Sequence, residues 1–373
     1  MTKSTAAPTA AKAKPARRRR DADTGRTSSE DVVVYGATGY TGRLAARAME
    51  RAGLSFALGG RNQQSLELLA EEFDNEHPLV VARHDDPEGL VEMAERGKVL
   101  VSTAGPFGEV GELVVAAAVR TGRHYLDSTG ETGFMARTHS RHNQTARDKG
   151  IVVVNSCAFE YVIGDCAVAL AMADKRPQEV RVSYWLPRKH MTHGTALSGG
   201  GLVAPKGEDL FHGYQVDYPG IGRRWAVTYP GGETEFMRRR HPEVRTSTLM
   251  DLPAPLARSA GLMPRIAPFL ALPPIRALQN ALVSRLPAGP SDEQRAEQEF
   301  LILVEVDPGD GTSGVVVRGV DPYGLTGEIL ARSAAQIIRG ETLASGVLAP
   351  SEAFEPKAVL DSLADLGVSW ERF

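Results

Sequence analysis

From residue 32 onward, apolar and polar positions alternate between two periods. Val32-Val33-Val34-Tyr35 is a continuous apolar run, as expected of a parallel strand covered on both faces. After residues 36–42 comes a helical stretch. Leu44, Ala45, Ala48, Met49 and Ala52 lie on one side of it, with Arg43, Arg47, Glu50 and Arg51 on the other. Gly53 stands where a helix ends on a left-handed residue. The same alternation predicts strands at 55–59, 79–82, 99–103, 125–127 and 151–155. Between them lie a helix capped by Asn62, one begun by Asp86 and Pro87, one around 112–120, and one over 134–148 stopped by Gly150. Strands separated in this way by helices predict an α/β protein with a Rossmann-type, doubly wound parallel sheet.

Beyond Phe159 the pattern changes. Longer strands at 179–186, 300–306 and 313–319, with fewer helices between them, predict a second α/β domain built on a mixed sheet. A helix over 326–339, capped by Thr326 and closed by Gly340, and a short helix over 356–366 follow. The expected division is a first domain over 31–160 and a second over 161–324, with 325–373 packing back on the first. Residues 1–30 hold eight basic and three acidic side chains and no large apolar one beyond Met1, so a disordered basic tail is expected. No apolar run follows arginines 17–20, which argues against an export signal.

Composition sets bounds. The 373 residues are 42% apolar, and the formal charge is −3. The tail is net +5, so the remainder is net −8, which gives no reason to expect a nucleic-acid partner. No apolar run is long enough to span a membrane. Cys157 and Cys166 cannot build a disulfide framework, so a cytoplasmic, reducing location is expected.

The loop Gly36-x-x-Gly39-x-x-Gly42 lies between a buried strand and an amphipathic helix, the setting of a pyrophosphate site. Gly36 permits the tight turn, Gly39 admits the phosphates and Gly42 lets helix and strand close up. Thr38, Tyr40 and Thr41 complete the loop, and the helix N-terminus offers free N–H groups. About 20 residues on, where an NAD site carries Asp or Glu, this chain has Gly59-Gly60-Arg61. A guanidinium there pairs with a 2′-phosphate, so NADP(H) is the expected cofactor. Ser102, Thr103, Ala104, Gly105, Pro106 and Phe107, then Ser128 and Gly130, then Cys157 and Phe159 end later strands. They are expected along the nicotinamide and its ribose.

Together these stretches resemble the saccharopine dehydrogenase-like oxidoreductases, on the branch of the trans-acting enoyl reductases. The resemblance rests on GATGYTG at 36–42, GGR at 59–61, STAGPF at 102–107, HYLDSTGE at 124–131 and NSCAFEYVIGD at 155–165. DPYGLTGEILARSA at 321–334 and GVLAPSEAF at 346–354 carry it more moderately, and the middle, around 192–195, is only loosely similar. It implies a Rossmann domain, a second α/β domain over the nicotinamide, and NADPH-dependent reduction of C=N bonds in amino-acid metabolism or C=C bonds on lipid or polyketide intermediates. The chain departs from the family at Ala158, Glu160 and Ile163, where Gly, Asp and Pro are usual, and at Arg83, where an aspartate is usual. A reshaped wall beside the ring is expected.

Reduction needs orientation and, for some substrates, a proton donor. None of the nine tyrosines has Lys four residues on, which argues against a short-chain alcohol dehydrogenase. Tyr161 and Tyr323 are the candidate donors because each follows a segment expected near the ring; a purely structural tyrosine is the plainer reading of either. His193, before Gly194-Thr195, is a candidate for orienting a substrate polar group. Cys157 has no paired base and reads as a lining residue. His139-x-x-His142 and His190-x-x-His193 lack further ligand types, so no metal is expected.

Residues 252–291 stand apart. They hold eight of the 23 prolines, Arg258, Arg265, Arg276 and Arg285, no acidic residue, and many Leu, Ile, Phe and Met. Prolines exclude a spanning helix. Short amphipathic helices could line an apolar substrate cavity, lie on a membrane or receive an acidic carrier protein; the plain reading is an excursion packed on its own domain or on a homodimer partner. The expected function is NADPH-dependent reduction of a C=C (enoyl or enone) or C=N bond of an apolar, lipid- or polyketide-like biosynthetic intermediate, free or carrier-bound. Two alternatives stay open. One is C=N reduction of an amino-acid adduct, its carboxylates gripped by Arg223-Arg224 or by arginines 238–240; the other is a non-enzymatic NADP-binding redox sensor.

Overall fold

The computed structural model describes residues 30–173, 175–186, 210–270, 272–275, 278, 289–308 and 313–373. The basic tail up to residue 29, and His193 with its neighbours, lie outside the described residues.

Strands β1 (Glu30–Tyr35), β2 (Phe56–Gly60), β3 (Leu79–Val81), β4 (Gly97–Ser102), β5 (His124–Asp127) and β6 (Val152–Val154) alternate with helices. These are α1 (Tyr40–Arg51), α2 (Gln63–Ala70), α3 (Pro87–Glu95), α4 (Phe107–Thr121), α5 (Thr132–Asp148) and, after β6, α6 (Phe159–Met172). Then follow β7 (Glu179–Trp185), β8 (Gly213–Tyr218), β9 (Gly222–Tyr229), α7 (Gly232–Arg240) and β10 (Arg245–Asp251). Last come β11 (Glu299–Val306), β12 (Ser313–Val320), α8 (Pro322–Ile338), β13 (Gly346–Leu348) and β14 (Ser369–Arg372).

The first sheet runs β13-β6-β5-β4-β1-β2-β3, all parallel. Strand order reverses between β1 and β4, which opens a crevice at the carboxyl ends of the strands. The second sheet runs β14-β12-β11-β7-β10-β9-β8. Its β7–β10 pairing is parallel and the rest are antiparallel, so the sheet is mixed.

Three features differ from the sequence-based expectation. A seventh strand, β13, joins the parallel sheet from the C-terminal stretch, whereas β14 joins the second sheet. That stretch therefore serves both sheets instead of packing only on the first. Helix α8 begins at Pro322, capped by Asp321, whose side chain accepts from the Gly324 N–H. Thr326 sits inside the helix, its hydroxyl turned back to the Pro322 carbonyl. Strands β8 to β10 fill a region in which no strand was expected, because charged residues interrupt their apolar positions.

Helix α6 joins the two halves. Val162, Ile163, Cys166, Ala167 and Val168 are all 0–1% exposed, so the helix is covered all round, as an apolar helix must be. It packs on β11 and β12, on α8 and on the C-terminal helix Pro356–Asp361. One polar group interrupts this surface: Asp165 is fully buried, accepts from the Ser351 N–H at 2.8 Å, and pairs with Arg240 of α7. The pair fixes α7 against α6. Removing the cation leaves a buried charge unpaired, so Arg240→Ala should lower stability by about 3–5 kcal/mol, measured by urea unfolding.

Candidate functional site

The glycine loop leads from β1 into α1. Gly36 has φ +84°, a conformation that L side chains rarely adopt. A Cβ at Gly42 would lie 2.2 Å from the Gly36 carbonyl oxygen, so this position excludes any side chain. The loop therefore coils tightly under the first turn of α1. Gly39, the N-cap, supplies no side-chain cap, and no acidic residue stands in the first turn. The N–H groups there are left for an anion, with the helix dipole behind them. Thr103 hydrogen bonds through its hydroxyl to the Tyr35 and Gly36 carbonyls, tying the end of β4 to the same loop.

Arg61 follows β2 directly and is exposed. Nearby Arg43 and Arg47 both pair with Glu72, and Arg83 pairs with Asp85. Arg61 makes no ion pair among the described residues, which leaves its guanidinium for a 2′-phosphate. The narrow glycine loop, the uncapped helix end and this arginine fit an NADP(H) dinucleotide.

Further along the rim, Asp127 ends β5 with no exposed surface. It accepts from the Thr129 N–H (3.0 Å), the Ser156 N–H (2.9 Å) and the Asn155 amide (2.7 Å). Burial still pushes its carboxyl up to about 6. Glu131 reaches across to α4, accepting from the N–H groups of Phe107 (2.7 Å) and Gly108 (2.8 Å). Thr103, Ala104, Gly105, Pro106, Ser128 and Gly130 all keep some exposure on this rim.

Other expected lining residues face inward. Ser102 is fully buried, and Phe107 packs on Phe134 with ring centroids 5.9 Å apart. Phe159 packs on Phe300 at 5.4 Å, joining the rim to the second sheet. The Cys157 thiol is fully buried beside the Ser333 hydroxyl (3.4 Å), and burial pushes it up to about 12. Its side chain thus sits in the core against α8.

The two candidate tyrosines part company. Tyr323 sits edge-on to Tyr40, centroids 5.6 Å apart, on the glycine-loop side. Tyr40 donates its hydroxyl to the Pro290 carbonyl at 2.7 Å, so Tyr40 and Tyr323 brace the loop. Tyr161, on the first turn of α6, is 4% exposed, and its hydroxyl lies 4.0 Å from where a Cβ on Gly130 would stand. Its ring belongs to a polar pocket with Tyr229, Tyr184, Glu233 and Glu160.

Glu160 and Glu233 were not singled out from the sequence. Glu233, in the first turn of α7, is fully buried. Burial pushes it up to about 8 despite the Tyr184 hydroxyl against it. The Tyr184 hydroxyl donates to the Glu233 carboxyl and also lies 2.9 Å from the Glu160 carbonyl. Glu160 itself is part-buried, its carboxyl makes no hydrogen bond among the described residues, and burial pushes it up to about 7. The sequence signal for Glu160 was its place in the 157–165 motif; Glu233 had none. Among the described residues no group of three metal-ligand side chains stands together.

Comparison with known proteins agrees with this geometry. Residues 32–154 match the saccharopine dehydrogenase NADP binding domain. Over those residues the first domain is therefore similar to a saccharopine dehydrogenase NADP-binding domain. A trans-acting enoyl reductase of Mycobacterium leprae is 36% identical over 143 residues, 37% of this chain and 34% of that protein. A Mycobacterium tuberculosis protein of the same designation is 37% identical over the same shares. The chain thus spans about a third of the length of these relatives in the matched stretch. Apo saccharopine dehydrogenase (L-Glu forming) from Saccharomyces cerevisiae superposes with a TM-score of 0.57 at 13% identity, covering 92% of this chain and 100% of that one. It shares the fold.

Two outcomes follow from the site. Arg61→Ala should weaken NADPH binding by roughly 10- to 100-fold, the equivalent of one or two charge-assisted hydrogen bonds, and leave NADH almost unchanged. Titration of cofactor fluorescence checks it, and equal losses for both would remove the 2′-phosphate role. Because the folded-state value of Glu233 lies above its unfolded one, its contribution to stability is complete in acid and is lost as pH rises through about 8. Glu233→Gln should therefore flatten the fall in melting temperature between about pH 5 and pH 8, an effect on the order of a few kcal/mol.

Proposed function

We propose that the chain is an NADPH-dependent reductase of a polarised C=C or C=N bond in a largely apolar biosynthetic intermediate, working in a reducing, cytoplasmic setting. The observation that carries this reading is the Glu160 carboxyl. It is part-buried on the α6 turn that follows the β6 loop, makes no hydrogen bond among the described residues, and burial raises it to about 7. Bound NADPH supplies the hydride. The chain's own part is to hold the dinucleotide on the α1 terminus and Arg61, to keep water from the rim with α6, and to deliver a proton from Glu160.

Tyr161, Tyr229, Tyr184 and Glu233 form a neutral, hydroxyl-rich backing behind Glu160. Their burial keeps every one of them protonated near pH 7, since each value is raised. A carboxyl set against such a backing is pushed toward its acid form, which suits a general acid. The enoyl reductase relatives support the C=C choice, over the domain they share.

Reduction of an amino-acid adduct has less support. Arg238 and Arg239 are engaged by Glu235, and Arg240 by Asp165 and Ser351. That leaves arginines 238–240 committed to their own structure, so they cannot grip free carboxylates.

The reading is tested by single-turnover oxidation of NADPH with enoyl thioesters, enones and imines; no oxidation by any of them sinks it. With an active substrate, kcat/KM should fall as pH rises through about 7, where Glu160 loses its proton. Glu160→Gln should remove that inflection and slow turnover by about 10²- to 10⁴-fold, as expected for a general acid.

A further inference from the structure

The proline-rich stretch turns its apolar side chains outward. Leu256, Leu262, Ile266, Phe269, Leu272 and Leu278 are each 45–66% exposed. They sit on the helix Ala254–Ser259, the turn Ala260–Leu262, the helix Met263–Leu270 and the residues just beyond. Among the described residues, neither a substrate cavity nor a neighbouring part of the chain covers them. Leu262, Ile266 and Phe269 recur at spacings of four and three, which places them along one side. The inner side is anchored: Ala257 and Ala260 pack on Val227 of β9.

Positive charge rims this apolar face. Arg258 lies over the Trp225 ring at 5.3 Å, Arg265 stands beside Ile266, and Arg223 and Arg224 are exposed on β9. Strand alternation puts Arg223 on the Trp225 face. No Asp or Glu occurs between 252 and 291.

We infer that the helices Ala254–Ser259 and Met263–Leu270, with Arg223 and Trp225, form a docking surface for an anionic lipid layer. Apolar side chains that enter an acyl boundary, together with arginines that meet headgroup phosphates, are the two elements of interfacial binding. A second copy of the chain fits less well, because a two-fold contact would set Arg258 and Arg265 against their own equivalents with no acid to pair them. Prolines keep the helices to six and eight residues. No helix among the described residues is long and apolar enough to cross a membrane, so the contact is lateral. Farther along the chain, Gly289 and Pro290 pack on Tyr40 at the glycine loop.

The test is co-sedimentation of the full chain with vesicles of phosphatidylcholine, with and without phosphatidylglycerol. Binding is expected with the anionic vesicles and should weaken as salt rises. Arg258→Gln/Arg265→Gln should weaken it by about 25-fold, from roughly fivefold for each arginine near the surface. Ile266→Asp/Phe269→Asp should abolish it, and unchanged thermal melting of both variants shows that they fold. The inference is overturned if the chain stays in the supernatant with both vesicles or if the variants bind like the parent. A concentration-dependent dimer that Ile266→Asp/Phe269→Asp dissociates, without vesicle binding, overturns it too and assigns the face to a second copy.

Discussion

Asp127 stands fully buried at the end of a parallel strand, and three donors converge on its carboxyl. An isolated carboxylate inside a protein is strongly disfavoured, and hydrogen bonds to a charged group are worth about 1.5–3 kcal/mol each. These bonds offset most of the burial cost, which is why the group settles near 6 and stays largely ionised at neutral pH. The geometric consequence matters more than the energy. Asp127 draws Thr129, Asn155 and Ser156 to one point and so locks the β5 and β6 loops together. Ser156 takes φ +60° to comply and passes its hydroxyl to the Thr129 carbonyl at 2.6 Å. From that fixed point Glu131 reaches α4, and Phe159 begins α6. The rim along which a nicotinamide would lie is thus organised by carboxyls that never touch it.

The parts of the site that the sequence disclosed are those whose geometry is local. A glycine loop must sit between its strand and its helix, so Gly36, Gly39 and Gly42 declare themselves, and Arg61 is fixed by its distance from them. The alternation of periods in residues 32–154 reads correctly because each strand is buried on both faces and each helix has one wet side. The parts that stayed hidden are products of tertiary burial. Glu233 reads as an ordinary acid at a helix start, and only the collapse of α7 onto α6 turns it into a neutral group. Tyr161 and Tyr323 look equivalent along the chain, yet one enters the pocket behind Glu160 and the other braces Tyr40. Cys157 has the right sequence neighbours, but α8 covers its thiol.

Helix α6 concentrates these outcomes because it serves the core and the site at once. Its body is apolar on every side and packs between the second sheet and α8. Its first turn carries Glu160 and Tyr161. Thr326 of α8 bonds the Phe159 N–H at 3.2 Å, so the helix that backs the glycine loop also holds the start of α6.

The charge distribution separates the apolar reading of the substrate from the amino-acid one. A polycarboxylate substrate needs cations that are near the crevice and free, whereas arginines 238–240 are tied to Glu235 and Asp165. Arg223, Arg258 and Arg265 are exposed instead on the face of Trp225 and the outward Leu, Ile and Phe side chains. A surface that gathers cations beside open apolar groups is suited to an anionic lipid layer. The pocket behind Glu160, built from tyrosines and a neutral Glu233, likewise offers hydroxyls and ring faces instead of net charge.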